Sequence, residues 1–325
     1  MITSTSELAR AIRSKCSTYT IEEIMSSPSL CPYINSILIA MCERLGRIPN
    51  LVVEYLPSSD ITAYTDGMKI VANSATAAIS EISQIDKQFV ALFGLITHEC
   101  GHVLYTDFAS LNPVIEAWQF GTIKGDIPDI DKTQDFLDYL KDNRNYRNYY
   151  YKSMKLIQNI IEDIYIENRI YDDFSGLCTL GLKVLRDEAF RLSDEVSVII
   201  DNILNGKASL FELAGYILLL EGHGYKLKVS EALTQDQEAI LDYVRNVLSL
   251  ASVELDTLCI SPIPEIRVRM LNRLFIKLKD LLPPKDDKSD EKSRDSNDSD
   301  SSDNKQDGQR QGKNPIPQYS NNTDF

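Results

Sequence analysis

A chain of 325 residues with 43% apolar and 25% charged side chains can bury one large core or two smaller ones, and its composition is globular rather than fibrous or wholly disordered. Its net charge of −14 argues against non-specific nucleic-acid binding, which needs a cationic surface. No apolar run approaches the ~20 residues that cross a bilayer, Met1–Leu8 lacks the basic-then-apolar pattern of a secretory leader, and the six cysteines form no C-x-x-C pair, so a reduced, cytoplasmic chain without a membrane partner is expected.

Residues 5–47 read as helices; Tyr33–Leu45 has a helical period and Gly46 stops it. Leu51–Tyr55 is a strand candidate. Ile61–Tyr64 and Met68–Val71 flank Thr65-Asp66-Gly67, and Asp-Gly between apolar runs predicts a hairpin. Met68–Asn73 is expected to be the edge of this small sheet, where an extended peptide can pair.

The run Phe89–Ile96 is apolar enough for a buried helix, predicted over 86–106, and leads into His98-Glu99-Cys100-Gly101-His102. On a helix, positions four apart share a face, so His98 and His102 present two imidazoles to one point, the geometry of two zinc ligands, with Glu99 beside them as general base. Cys100 points the other way and reads as core. Downstream, Val103–Phe108 lacks the glycine and histidine of the longer H-E-x-x-H-x-x-G-x-x-H pattern, which leaves a carboxylate or His223 as third ligand. Asp107 reaches the metal only if the helix breaks after Tyr105; Thr106 or Asp107 reads better as the end of this helix or the cap of the next.

Further helices are predicted over 133–141, 149–171, 181–192, 194–204, 208–221, 231–250 and 264–281. In the second of these, Leu156, Ile157, Ile160, Ile161, Ile164 and Ile170 mark the core face, and Asn159, Glu162, Asp163 and Glu167 form a neighbouring acidic stripe. Such crowding needs positive charge between the groups. Glu162 is the expected third ligand. Asp163, Asn159 and Glu167 are expected to stand behind the ligands, Asp163 receiving an imidazole N–H and Glu167 either pairing with Arg169 or supporting a ligand as Asp163 does. The basic and aromatic residues Lys141–Lys155 read as an amphipathic surface rather than a single-strand binding site. His223, in a glycine-flanked turn after 208–221, is a candidate catalytic donor to a developing oxyanion, with Tyr105 and Tyr165 as alternatives and a plain surface place at a helix end as the competing reading. Past Pro283 the apolar residues give out, and 284–325 is expected to be a disordered polar tail.

The pair formed by His98-Glu99-x-x-His102 and Asn159-x-x-Glu162-Asp163-x-x-x-Glu167 resembles the gluzincin branch of the zincin metallopeptidases. It is closest to the metallopeptidase domain that accompanies von Willebrand factor A-type domains and MoxR-type ATPases in bacteria and phages, over about residues 50–172. The resemblance implies an α+β, predominantly helical fold with a zincin-like core (1–172), in which a sheet and hairpin pack on the motif helix, then an all-helical region (173–283). It implies a Zn2+ site with His98, His102 and Glu162 as ligands and Glu99 as base, acting on a peptide or protein substrate. No von Willebrand-type domain is legible in the chain. Two further classes compete: a metal-stabilised, non-catalytic module working with a regulatory protein partner such as an ATPase, and a helical scaffold without metal.

Overall fold

The computed structural model describes residues 14, 19–28, 30–43, 50–54 and 62–283. The expected tail at 284–325 and much of the N-terminal helical region lie outside the described residues. The described residues are predominantly helical, with one three-stranded sheet among them. Helices α1 (Ile21–Met25) and α2 (Leu30–Cys42) precede strands β1 (Asn50–Glu54), β2 (Ala63–Thr65) and β3 (Lys69–Asn73). There follow α3 (Ala77–Ser80), the motif helix α4 (Ile85–Tyr105), α5 (Phe108–Gln119), α6 (Thr133–Asp142) and the long acidic helix α7 (Arg144–Asp173). The remainder is α8 (Leu177–Leu192), α9 (Val196–Leu204), α10 (Leu210–Gly222), α11 (Gln235–Leu250), α12 (Ser252–Ile260) and α13 (Pro264–Lys277), with a last 3-10 turn at Leu278–Leu281.

The Asp66-Gly67 hairpin forms as expected. Asp66 Oδ1 accepts from the backbone N–H of Met68 and Lys69 at 2.8 and 2.7 Å, and Gly67 takes the positive φ, 83°, that the turn requires. The strand order differs from expectation. It is β1-β3-β2, with β1 parallel and β2 antiparallel to β3. The segment Met68–Asn73 is therefore the centre of the sheet, and Ile70–Asn73 are buried. The edge beside the motif helix is β2. A hairpin can be read locally, but which of its strands is covered depends on β1, a chain segment further back.

Helix α4 is buried on nearly every side, from Phe89 through Gly101, which fits its nearly continuous apolar sequence. It ends where Thr106 turns extended, and Asp107 caps α5 by accepting from Ser110 N at 3.1 Å, so Asp107 is a cap and not a ligand. Helix α5 has no counterpart among the predicted elements, since Pro113 interrupts its pattern. Cys100 faces the core, its Sγ 3.5 Å from that of Cys42.

Two apolar cores meet at α7. One joins α1, α2, the sheet and α4 to Ile170, Cys178, Leu182 and Leu185; the other gathers α5, α6, the first half of α7 and α9–α13. The expected boundary at 172 falls at the end of the shared helix, and α8 packs with the motif helix rather than with the later helices. The tyrosines before the acidic stripe serve packing: Tyr150 is buried and donates to the Phe275 carbonyl, and Tyr146 donates to the Pro283 carbonyl.

Helices α4 and α8 touch backbone to backbone. A Cβ on Gly94 would sit 2.1 Å from the Gly181 carbonyl oxygen, and one on Gly181 would sit 2.8 Å from Gly94 Cα. Neither helix can yield without moving the other. Gly94→Ala is expected to cost about 3 kcal/mol, the upper range for overpacking, read as a lowered midpoint in urea unfolding; an unchanged midpoint would show that the crossing is loose.

Candidate metal centre

The site is assembled by α4 and α7, with supports from α8, α10 and α13. His98 and His102, one turn apart, place their rings 5.0 Å apart at 84°. Their Nε2 atoms lie 3.5 and 3.2 Å from the same oxygen, Asp163 Oδ1. Among the described residues these three form a group that could hold a metal ion, all ligand atoms lying within 4.8 Å of one another. Glu162, the expected ligand, does not join them. It accepts from the Thr106 hydroxyl at 2.9 Å and is gripped by Arg267. The two neighbours exchange the roles expected for them, because adjacent positions on a helix point about 100° apart.

Each imidazole is backed by a carboxylate that carries an arginine, His98 directly and His102 through the Thr106 hydroxyl. His98 Nδ1 lies 2.7 Å from Glu167 Oε1, and Glu167 is clamped by Arg186 of α8. His102 Nδ1 lies 3.0 Å from Thr106 Oγ1, which donates to Glu162, held in turn by Arg267 of α13. Since the Thr106 hydroxyl gives its proton to Glu162, its oxygen accepts from His102 Nδ1. Both Nδ1 atoms then carry the proton, and both Nε2 lone pairs aim at the shared point. Arg169, the expected partner of Glu167, instead pairs with Asp173 at 3.3 Å. Arg267 also stacks on the Tyr165 ring at 3.9 Å, and the Tyr105 hydroxyl donates to Asp173 at 2.8 Å; neither tyrosine lines the cleft that holds Glu99.

His223 caps α10 behind the centre, not in front of it. Its Nδ1 is 3.3 Å from Glu167 Oε2, on the carboxylate that supports His98, and it does not line the cleft that holds Glu99. Burial, reinforced by Arg186, pushes its pKa down to about 4, so it stays neutral despite Glu167. Its buried Nε2 has no hydrogen-bond partner among the described residues. Glu99 lines the cleft with His102 and Asp163, between β2 and the faces of α5 and α7; Asn159 lines it too, one turn before Asp163, rather than standing behind the ligands. Burial raises the Glu99 carboxyl above the usual carboxylate range, partly opposed by the two histidines.

Charge and spacing both fit a divalent cation. Glu99, Glu162, Asp163 and Glu167 are all at most 4% exposed, and only two buried guanidiniums, Arg186 and Arg267, stand against them. That leaves an excess of two negative charges on groups that water barely reaches, where they are costly, and a proton on His98 offsets one of them in the metal-free protein. Asp163 Oδ2 has no hydrogen-bond partner among the described residues. Ligands 2.0–2.1 Å from a tetrahedral ion sit about 3.3 Å apart, and the observed separations of 3.2 and 3.5 Å bracket that value. Two imidazoles and a carboxylate are donors that a divalent transition-metal ion accepts. The supporting arginines and Thr106 escaped sequence reading: Arg186 and Arg267 belong to no motif, and Thr106 was legible only as a helix end. Comparison with models of known families, with curated proteins and with solved structures returns no match for this chain. No described helix is long and apolar enough to cross a membrane.

Two outcomes are expected. Asp163→Asn and His98→Ala lose stoichiometric zinc on elemental analysis, whereas Glu162→Gln keeps it with an affinity lowered about 10–100-fold; equal loss from Asp163→Asn and Glu162→Gln would remove the distinction between them. Metal uptake is also coupled to protons. Burial alone would lower the His98 pKa, but Asp163 and Glu167 outweigh it and raise it to about 10 in the metal-free protein. A ligand must shed that proton, so zinc affinity rises with pH up to that value, and calorimetry in buffers of different ionisation enthalpy shows about one proton released per ion; no release at pH 7 would sink the coupling.

Proposed function

We propose that this protein is a zinc-dependent peptidase with a zincin-like core. The observation that carries the reading is that Glu99, His102 and Asp163 line one open cleft beside a strand edge. A site built only to staple the fold has no need of an accessible base, and structural zinc sites mostly use cysteine. When bound, zinc supplies a Lewis acid that polarises a carbonyl and acidifies water.

The protein's own residues do the rest. Among the described residues β2 pairs only with β3, so its other side offers main-chain groups to an extended peptide. Glu99 is held at the cleft floor by a buried helix and takes a proton from the attacking water, then returns it to the leaving amine. Burial raises its pKa from the ordinary carboxylate value, which helps it hold the proton between the two transfers. The carboxylates behind His98 and His102 hold the rings in one tautomer throughout. The amides of Asn112 and Asn159 also line the cleft and are the donors placed to meet charge on a substrate oxygen.

A non-catalytic, metal-stabilised module is the competing reading, in which an ATPase or a von Willebrand-type protein docks and nothing is cut. The deciding variant is Glu99→Gln. It keeps one zinc per chain and the wild-type melting temperature, while peptide hydrolysis falls about 10²–10⁴-fold. A wild-type protein that holds zinc and cuts nothing in a diverse peptide library, assayed by mass spectrometry, would favour the module.

A further inference from the structure

The cleft continues away from the histidines along α7. Asp163, Asn159 and Lys155 follow at four-residue spacing, so they form one stripe, and all three line the cleft. Opposite them α5 presents Phe108, Leu111 and Ile115, also at the spacing of one helical face. Leu111 is buried and Phe108 is 37% exposed, so this wall is apolar and open to water. Lys155 is the one lysine or arginine among the described lining residues, and it has no ion-pair partner among them. The acidic groups of the cleft, Glu99, Glu162 and Asp163, cluster at its other end beside the imidazoles.

Eight residues of helix separate Lys155 from Asp163, about 12 Å. An extended peptide covers that distance in three or four residues at ~3.3 Å each. An ammonium facing an apolar wall at that remove is matched by an apolar side chain with a carboxylate nearby. We infer that the cleft selects peptides that lay an apolar side chain on Phe108 and Ile115 and place a carboxylate against Lys155, three or four residues from the bond to be cut. The inference rests on the peptidase reading and names its substrate class. An aspartate or glutamate side chain and a free C-terminus offer the same anion.

The test uses apolar-rich peptides in three matched sets: glutamate against glutamine at the third and fourth positions from a common cleavage site, and free acid against C-terminal amide. Cleavage is followed with zinc-loaded full-length protein, and equilibrium binding with full-length Glu99→Gln by calorimetry. Removing the relevant carboxylate is expected to lower kcat/KM and affinity about tenfold, the worth of one charge-assisted contact. The difference vanishes in Lys155→Gln and reverses in Lys155→Glu, which instead favours peptides carrying lysine at that position. A difference confined to the acid and amide pair assigns the anion to the C-terminus; one confined to glutamate and glutamine assigns it to a side chain. Uniform cleavage and binding across the panel, or a preference that survives Lys155→Glu, overturns the inference and leaves the peptidase reading standing. Charge-selective binding without any cleavage overturns the peptidase reading alone, and the absence of both overturns the two together.

Discussion

Four carboxylates packed into a dry interior against two guanidiniums set the terms for the rest of this structure. Burying that surplus is tolerable only if positive charge arrives. In the metal-free protein a proton on His98, held by Asp163 and Glu167, meets part of the need. A dication held between the two imidazoles and Asp163 would meet it more fully. The arginines cannot substitute, because each is committed to one carboxylate behind a ring, Arg186 to Glu167 and Arg267 to Glu162.

That commitment is what makes the histidines rigid. A ring whose Nδ1 proton is fixed has one tautomer and one preferred orientation. Two such rings, one turn apart on a helix enclosed by core, present lone pairs whose direction is set by packing and not by the metal. The packing is itself constrained at the glycine crossing, where α8 lies against α4 at backbone distance. Arg186 is on α8, five residues past Gly181, so the closeness of that crossing determines where its guanidinium meets Glu167.

The parts of this arrangement that repeat locally were legible in the sequence. The motif helix occupies Ile85–Tyr105 against an expected 86–106, and the Asp66-Gly67 turn is where the dipeptide placed it. Asp107 caps the next helix, as its position after Thr106 suggested. What failed depended on rotation or on distant partners. Glu162 and Asp163 are neighbours on one acidic stripe, and no local pattern tells which of them faces the histidines. Asp163 shares its spacing with Asn159 and Glu167, whereas Glu162 sits beside Thr106 and Arg267, the latter over a hundred residues away. The sheet order failed for the same reason, since β1 covers β3 from outside the hairpin. His223 has the residue type of a catalytic donor, but the turn after α10 delivers it to the back of Glu167.

Arg267 lies close to the end of the described residues, while the histidines it helps to orient come before the first third of the chain has passed. A polypeptide emerging from the ribosome therefore displays its paired imidazoles long before the guanidinium that completes the hold on His102. Until α13 docks, Glu162 has no buried counter-charge, and the His102 ring lacks its full backing. Maturation of the centre thus waits until α13 has been made and docked, and a product truncated before it would carry the signature pentapeptide without the scaffold that aims it.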